Sequence, residues 1–234
     1  MARVQREIVR GWFDRLVPPG GAVLDAGCGP GLDTAWLDET GRRVVAVDAS
    51  AGMVEQARLR APGAVVQRLP LEDVGSLAGA HRFDAVLMNF GVVNCLDLAP
   101  VVRGLASCVR EGGVLLVVPM GRFPPSWLLG QLLGLHLRSA FRRCRREVDV
   151  DVEGAAVRVR YLSGVTVARS FSPWFALEHQ EGMGFLMPPP GTGWSEPWIR
   201  RLSRLEAPFR ARPGFREIGD HLLVVLRRTR VPSD

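Results

Sequence analysis

The stretch Val23-Leu24-Asp25-Ala26-Gly27-Cys28-Gly29-Pro30-Gly31 constrains this chain more than any other. A short apolar run passes through an acidic residue, breaks into closely spaced glycines and leads into the periodic segment Leu32–Leu37. That order predicts a strand, a tight turn and a helix start. Gly27, Gly29 and Gly31 allow positive φ and close approach of a ligand to the main chain, while the helix start offers unpaired N–H groups. A polar cofactor fits such a loop.

The glycine spacing is Gly-x-Gly-x-Gly, whereas a dinucleotide fingerprint has Gly-x-Gly-x-x-Gly. Asp25 stands two residues ahead of Gly27; a carboxylate there repels a pyrophosphate but suits a ligand with an ammonium or sulfonium group. The charge logic points to S-adenosylmethionine, with S-adenosylhomocysteine as its product. Together with Val44-Val45-Ala46-Val47-Asp48-Ala49-Ser50 and Met53-Val54-Glu55-Gln56-Ala57, the loop resembles the first two motifs of class I S-adenosylmethionine-dependent methyltransferases. The resemblance implies a doubly wound, mostly parallel, seven-stranded α/β sheet of the Rossmann-like kind. It also implies that the cofactor's methionine part lies against Asp25, Gly27, Cys28, Gly29 and Gly31. Asp48 would then hold the ribose hydroxyls, with Ala49 and Met53 in the same motif.

A chain of 234 residues accommodates a single α/β domain, and 47% hydrophobic with 23% charged residues is the composition of a soluble globular protein. The net charge is +6, yet the chain has no lysine. Its arginines are scattered apart from a run at Arg138–Arg146, with no interleaved aromatic motif for RNA. Neither nucleic acid nor a membrane is an expected partner. Lacking lysine, the chain also excludes Schiff-base chemistry, a P-loop and a Tyr-x-x-x-Lys oxidoreductase pair. Cys28, Cys95, Cys108 and Cys144 lack zinc-site spacing, and no metal is expected. The apolar runs near Leu115 and Leu128 are too short to span a bilayer, and the N-terminus has no apolar signal core. A cytoplasmic location is the expectation.

In chain order, Ala2–Val17 has the apolar spacing of an amphipathic helix ended by Pro18-Pro19. Its Trp12 and Phe13 either cover the cofactor or pack on the sheet. Strand and helix then alternate: strand Val44–Asp48, helix Ala51–Arg60, strand Ala64–Gln67, strand Arg82–Met88, helix Val101–Val109, a Gly-Gly turn at Gly112-Gly113 and strand Val114–Val118. Ligands on such a sheet bind beyond the carboxyl ends of the strands, so the following loops supply the site residues. Met120–Phe171 reads as an insertion lidding the substrate side, with a helical segment over Ser126–Arg146 and a β-hairpin over Glu147–Tyr161. A short helix at Ser163–Phe171, a strand at Phe175–Gly182, a helix at Glu196–Phe209 and a strand at His221–Arg228 complete the chain.

Arg68 stands where many members of the resembling family carry an adenine-binding aspartate. Leu69 and Leu71 offer an apolar sandwich for the ring, and Glu72 or Asp73 a cap for the next helix. Asn89 ends its strand without the prolines of a planar-nitrogen methyltransferase, and serves either the ligand or its own loop. Arg122 follows the fifth strand, either as a clamp for an anionic substrate or as a surface arginine. His136 and His179 are candidate general bases or structural histidines. His81 and His221 read as turn and strand-start residues.

The resemblance implies an enzyme that transfers a methyl group from S-adenosylmethionine to a carbon or oxygen of a small molecule, of the secondary-metabolite type. A cyclase or other non-methylating enzyme on the same fold is the alternative, and a non-catalytic protein is the third.

Overall fold

The computed structural model describes residues 1–125, 128, 147–152, 155–188 and 193–230. Helix α1 (Ala2–Leu16) leads into β1 (Ala22–Ala26), α2 (Leu32–Glu39), β2 (Arg43–Asp48), α3 (Ala51–Arg60) and β3 (Val65–Arg68). A 3₁₀ helix (Leu71–Gly79) then precedes β4 (Phe83–Met88). A second 3₁₀ turn (Val92–Cys95), α4 (Leu98–Cys108) and β5 (Val109–Val117) follow. β6 (Glu147–Val152) and β7 (Ala155–Arg160) come next, then α5 (Gly164–Phe171), β8 (Phe175–Met183), α6 (Glu196–Glu206) and β9 (His221–Arg228).

Seven strands form one sheet in the order β3-β2-β1-β4-β5-β9-β8, while β6 and β7 form a separate antiparallel pair. β1 to β5 are mutually parallel, β9 joins β5 antiparallel, and β8 pairs antiparallel with β9 and so runs in the direction of the first five strands. The chain winds outward from β1 through β2 to β3, then crosses back to β4 and continues to β5. That reversal opens a crevice beyond the carboxyl ends of β1 and β4, where ligands of doubly wound sheets bind.

Both faces of the sheet are covered, and the central strands are accordingly apolar along their length. Side chains alternate between the faces at a period of two. Leu24 and Ala26 join one core cluster, with α4, α5 and the first 3₁₀ helix. Val23 joins the other, with Phe13 of α1 and Leu37 of α2. Asp25 has the parity of Val23, so it lies beneath α2.

Several boundaries differ from the sequence expectation for identifiable reasons. No Gly-Gly turn separates α4 from β5: the strand starts at Val109, paired with Phe83, and a register shift between Phe83 and Ala85 absorbs the glycines. Gly112 takes φ 73°, which lets the strand bulge and continue. Glu72 and Asp73 make no side-chain cap, because the segment they open is a 3₁₀ helix whose N-cap is Pro70. The hairpin, the short helix after it and both final strands stand where the periodicity places them. The predicted helical segment 126–146 lies outside the described residues but for Leu128.

Candidate active site

The glycine loop is held from below and from the side. Amides of Gly27 and Cys28 donate to the Val47 carbonyl at 2.9 and 3.0 Å, and the Gly29 amide donates to Oδ2 of Asp48 at 2.9 Å. The other Asp48 oxygen accepts from the Ser50 amide at 2.9 Å. The loop after β1 is thereby fastened to the end of β2. Gly31 has φ 82°, and a Cβ there would stand 2.7 Å from Cα of Ala57, so a side chain would push α2 off α3.

Beyond this loop lies a cleft of about 430 Å³, the size of a small-molecule site. Asp25, Gly27, Cys28 and Gly29 form its base, Arg6, Asp33, Asn89 and Phe90 one wall, and Val92, Met120, Val159 and Tyr161 the other. Asp25 is 2% exposed and accepts a hydrogen bond from the Thr34 hydroxyl at 2.7 Å. Burial pushes its carboxyl up to about 7; the Thr34 bond opposes the shift, and neighbouring Asp33 and Asp48 add to it. Burial, with Asp25 and Asp48 nearby, also pushes the Cys28 thiol up to about 12, so the sulfur is neutral and unreactive.

A polar network closes the Arg6 wall. Nε of Arg6 and Nε of Arg10 each donate to Asp33 at 3.1 Å, and Nδ2 of Asn89 donates to Oδ2 of Asp33 at 2.9 Å. Oδ1 of Asn89 accepts from the Phe90 amide at 2.9 Å. Asn89 is thus both a cleft residue and a loop cap. Phe90 has φ 49°, a strained value for a residue with a side chain. Its ring carries the Arg6 guanidinium on one side at 4.5 Å and the edge of His221 at 5.4 Å.

Of the cofactor residues expected from sequence, the cleft brings together Asp25, Gly27, Cys28, Gly29 and Asn89. Asp48, Ala49, Met53 and Leu69 lie on the β2–β3 side of the loop, reached through the Gly29–Asp48 bond. Arg68 donates from Nε to the Ala49 carbonyl at 3.1 Å, bracing that loop where an aspartate was the alternative. Leu71 is 4% exposed and packs into the core, so it supports the loop from beneath, while Leu69 is only partly buried.

The expected general bases are not assembled at the cleft. His179 lies on β8, its ring 4.2 Å from that of Trp12 and its Nε2 3.4 Å from Glu181. It is absent from the cleft lining because β8 is the edge strand, separated from β4 by β5 and β9. His136 lies outside the described residues. Arg122 also stands outside the lining, its guanidinium 5.6 Å from the Phe123 ring and its Nε buried without a hydrogen-bond partner. Trp12 and Phe13 pack on the sheet, Trp12 donating to Glu181 at 3.0 Å and Phe13 fully buried. Arg6, Asp33, Phe90 and Tyr161 were not singled out as cleft residues from sequence. Only the spacing of Arg6 and Arg10, one helical turn apart, hinted at the first.

No group of acidic, histidine or cysteine side chains able to hold a metal occurs among the described residues. The site fits S-adenosylmethionine. Positive-φ glycines leave main-chain room, a buried carboxylate faces the cleft, and a second carboxylate stands at the end of β2.

Comparison with known proteins covers the glycine loop and the base of the cleft. The family profile described as a methyltransferase domain matches residues 24–117. The chain is 34% identical over 118 residues to the ubiquinone biosynthesis O-methyltransferase of Xanthomonas axonopodis pv. citri, covering 49% of each chain. It is 30% identical over 158 residues to the malonyl-[acyl-carrier protein] O-methyltransferase of Pseudescherichia vulneris, covering 65% of this chain and 53% of that one. The chain thus spans about half the length of the curated relatives it matches. In fold it is similar to an S-adenosylmethionine dependent methyltransferase from Mesorhizobium loti, with a TM-score of 0.60 at 18% identity over 95% of this chain and 96% of that one. Residues 24–117, which run from within β1 to the end of β5 and carry the glycine loop, are thus similar in sequence to a methyltransferase domain, and the whole sheet is similar in fold to that of an S-adenosylmethionine dependent methyltransferase.

Proposed function

We propose that the protein transfers a methyl group from S-adenosylmethionine to an oxygen or carbon of a small, partly apolar molecule. The observation that carries this reading is the cleft at the strand-order reversal, with Asp25 at its base and its glycine loop held by Asp48. When bound, the cofactor supplies an electrophilic methyl on a sulfonium. The chain's own task is to place the acceptor about 3 Å from that methyl, in line with the breaking bond, which alone contributes several powers of ten in rate.

Asp25 receives the cofactor's amino group, and the Arg6 guanidinium is placed for its carboxylate, since Arg6 is the cationic residue among those lining the cleft. Asp48 keeps the loop closed through Gly29 and directs its remaining lone pairs to the ribose. Leu69 offers apolar contact to the adenine. Phe90, Val92, Met120, Val159 and Tyr161 form an apolar chamber for the acceptor, its far wall supplied by the end of β7. We assign residues 120–162, the part of the expected segment 120–171 that precedes α5, as the lid of that chamber, α5 instead covering the sheet beside α4; we take a natural product as the substrate class, and the relatives named for O-methylation favour oxygen as the acceptor.

Titration calorimetry of wild type and Asp48→Ala with S-adenosylmethionine and S-adenosylhomocysteine tests the cofactor half. Wild type binds both, and Asp48→Ala binds about a hundredfold more weakly, having lost an ionised acceptor. Incubation with isotope-labelled S-adenosylmethionine and small-molecule extracts tests the transfer half, read as a product heavier by one methyl group. Cofactor binding with product lacking that methyl would replace methyl transfer with a cyclase-type reaction.

A further inference from the structure

The large apolar side chains Leu186, Trp194, Trp198, Leu205, Phe209 and Phe215 are all exposed, between 38% and 60% each. Single exposed apolar residues are ordinary on a protein surface, but five of these fall within Trp194–Phe215, on α6 and the segments flanking it, and that concentration needs a reason. On α6, Ile199, Ser203 and Glu206 face inward and are buried, whereas Trp198, Arg201 and Leu205 share the outward face at spacings of three and four. Trp194 continues that face before the helix, its ring 6.5 Å from that of Trp198. In the turn after the helix Phe209 and Phe215 are exposed as well, their rings 5.5 Å apart.

Arginines interleave with these rings. The Arg201 guanidinium lies 5.4 Å from the Trp198 ring and that of Arg212 5.1 Å from Phe209. From Trp194 to Arg216 the acidic residues are Glu196 and Glu206. Glu196 is taken by Arg3 and Arg200, and Glu206, fully buried, by Arg210 and the amides of Gly184 and Leu186. Arg201, Arg204, Arg212 and Arg216 have no carboxylate partner among the described residues. The face is therefore aromatic and cationic at once.

We infer that the outward face of α6 and the turn after it form a peripheral docking surface for an anionic phospholipid bilayer. Indole and phenyl rings partition to the boundary between headgroups and acyl chains, and arginines beside them meet lipid phosphates with bidentate hydrogen bonds. Charge complementarity selects this occupant: a second copy of the same face would set unpaired arginines against arginines. No described helix is long and apolar enough to cross a membrane, so the contact is one of lying on the surface. α6 packs on α1 through Val4, Ile199 and Met187, and α1 carries Arg6 into the cleft wall. A docked molecule would thus hold its cleft one helix away from the lipid, suited to an acceptor dissolved in the bilayer.

The full chain is floated with vesicles of phosphatidylcholine alone and of phosphatidylcholine with phosphatidylglycerol, at low and high salt. Binding about tenfold stronger to the anionic vesicles, weakened by salt, is expected. Brominated acyl chains quench the wild-type tryptophan emission, and Trp194→Ser/Trp198→Ser abolishes that quenching. Arg201→Glu/Arg204→Glu lowers binding at least about tenfold, with thermal midpoint and S-adenosylhomocysteine affinity unchanged. Equal partitioning into both vesicle types, unquenched emission, or charge-reversed binding equal to wild type each overturns the proposal. So does capture of RNA or an acidic polypeptide in preference to vesicles. A smaller particle mass for Trp194→Ser/Trp198→Ser in analytical ultracentrifugation would instead mark the face as a contact between chains.

Discussion

The Thr34 hydroxyl donates a 2.7 Å hydrogen bond to Oδ2 of Asp25, joining the first turn of α2 to the buried carboxylate at the base of the cleft. This bond keeps the carboxyl from rising further than about 7, a value set mainly by burial.

Asp25 makes stability and cofactor binding depend on pH in opposite directions. In the free protein burial holds its carboxyl up at about 7, against 3.8 for an ordinary aspartate, so between these values the native state holds a proton that the unfolded chain has released. Unfolding free energy therefore falls as pH rises through that window, by up to about 1.4 kcal/mol per pH unit. A bound ammonium favours the carboxylate, so affinity for S-adenosylmethionine rises over the same range and binding releases a proton. Calorimetry just below pH 7, in buffers of different ionisation enthalpy, reads that proton. Asp25→Asn flattens the stability slope, abolishes the proton release and weakens binding about tenfold or more.

Arg6 and Arg10 share Asp33, but only Arg6 lines the cleft. Arg6→Ala is expected to weaken S-adenosylhomocysteine binding about tenfold, and Arg10→Ala less than threefold, with similar small losses in melting temperature. Equal effects on affinity would show that the arginines act only by holding α1 against α2.

Leu69 and Leu71 are two residues apart and have different surroundings. Leu71→Ala removes a buried core side chain and is expected to cost about 3 kcal/mol in urea unfolding, with cofactor affinity little changed. Leu69→Ala is expected to do the reverse, costing under about 1 kcal/mol in stability while lowering cofactor affinity severalfold. Interchanged outcomes would place the adenine over Leu71.

Gly31→Ala brings a Cβ against Ala57 at a backbone φ of 82°. Strain and overlap together are expected to destabilise the fold by about 3 kcal/mol. Gly29→Ala, with φ 52° but nothing within 4 Å of its Cβ, is expected to cost about 1 kcal/mol. Parallel thermal melts separate the two.

Much of the fold follows from patterns local in sequence. The Val23–Gly31 stretch reads as strand, turn and helix because apolar alternation, close glycines and a renewed helical period succeed one another within a few residues. The same local logic finds β2, α3, the β6–β7 hairpin and β9. It fails at Gly112-Gly113, where pairing with β4 carries the strand through glycines that by themselves signal a turn. It does not foresee the burial of Leu71, which depends on the helix packed across from it.

By itself the sequence determined the α/β class and the glycine loop, and it supplied the carboxylates Asp25 and Asp48 on which the expectation of a sulfonium cofactor rests. Tertiary structure alone decided which side chains meet at the cleft. It brought Arg6 of α1 to Asp33 of α2, set Phe90 between Arg6 and His221, and carried Tyr161 to the far wall. It left His179 on an edge strand against Trp12. Propensity and periodicity act over a few residues, whereas a cleft lined by α1, the loop after β4 and the end of β7 exists only once the sheet has packed.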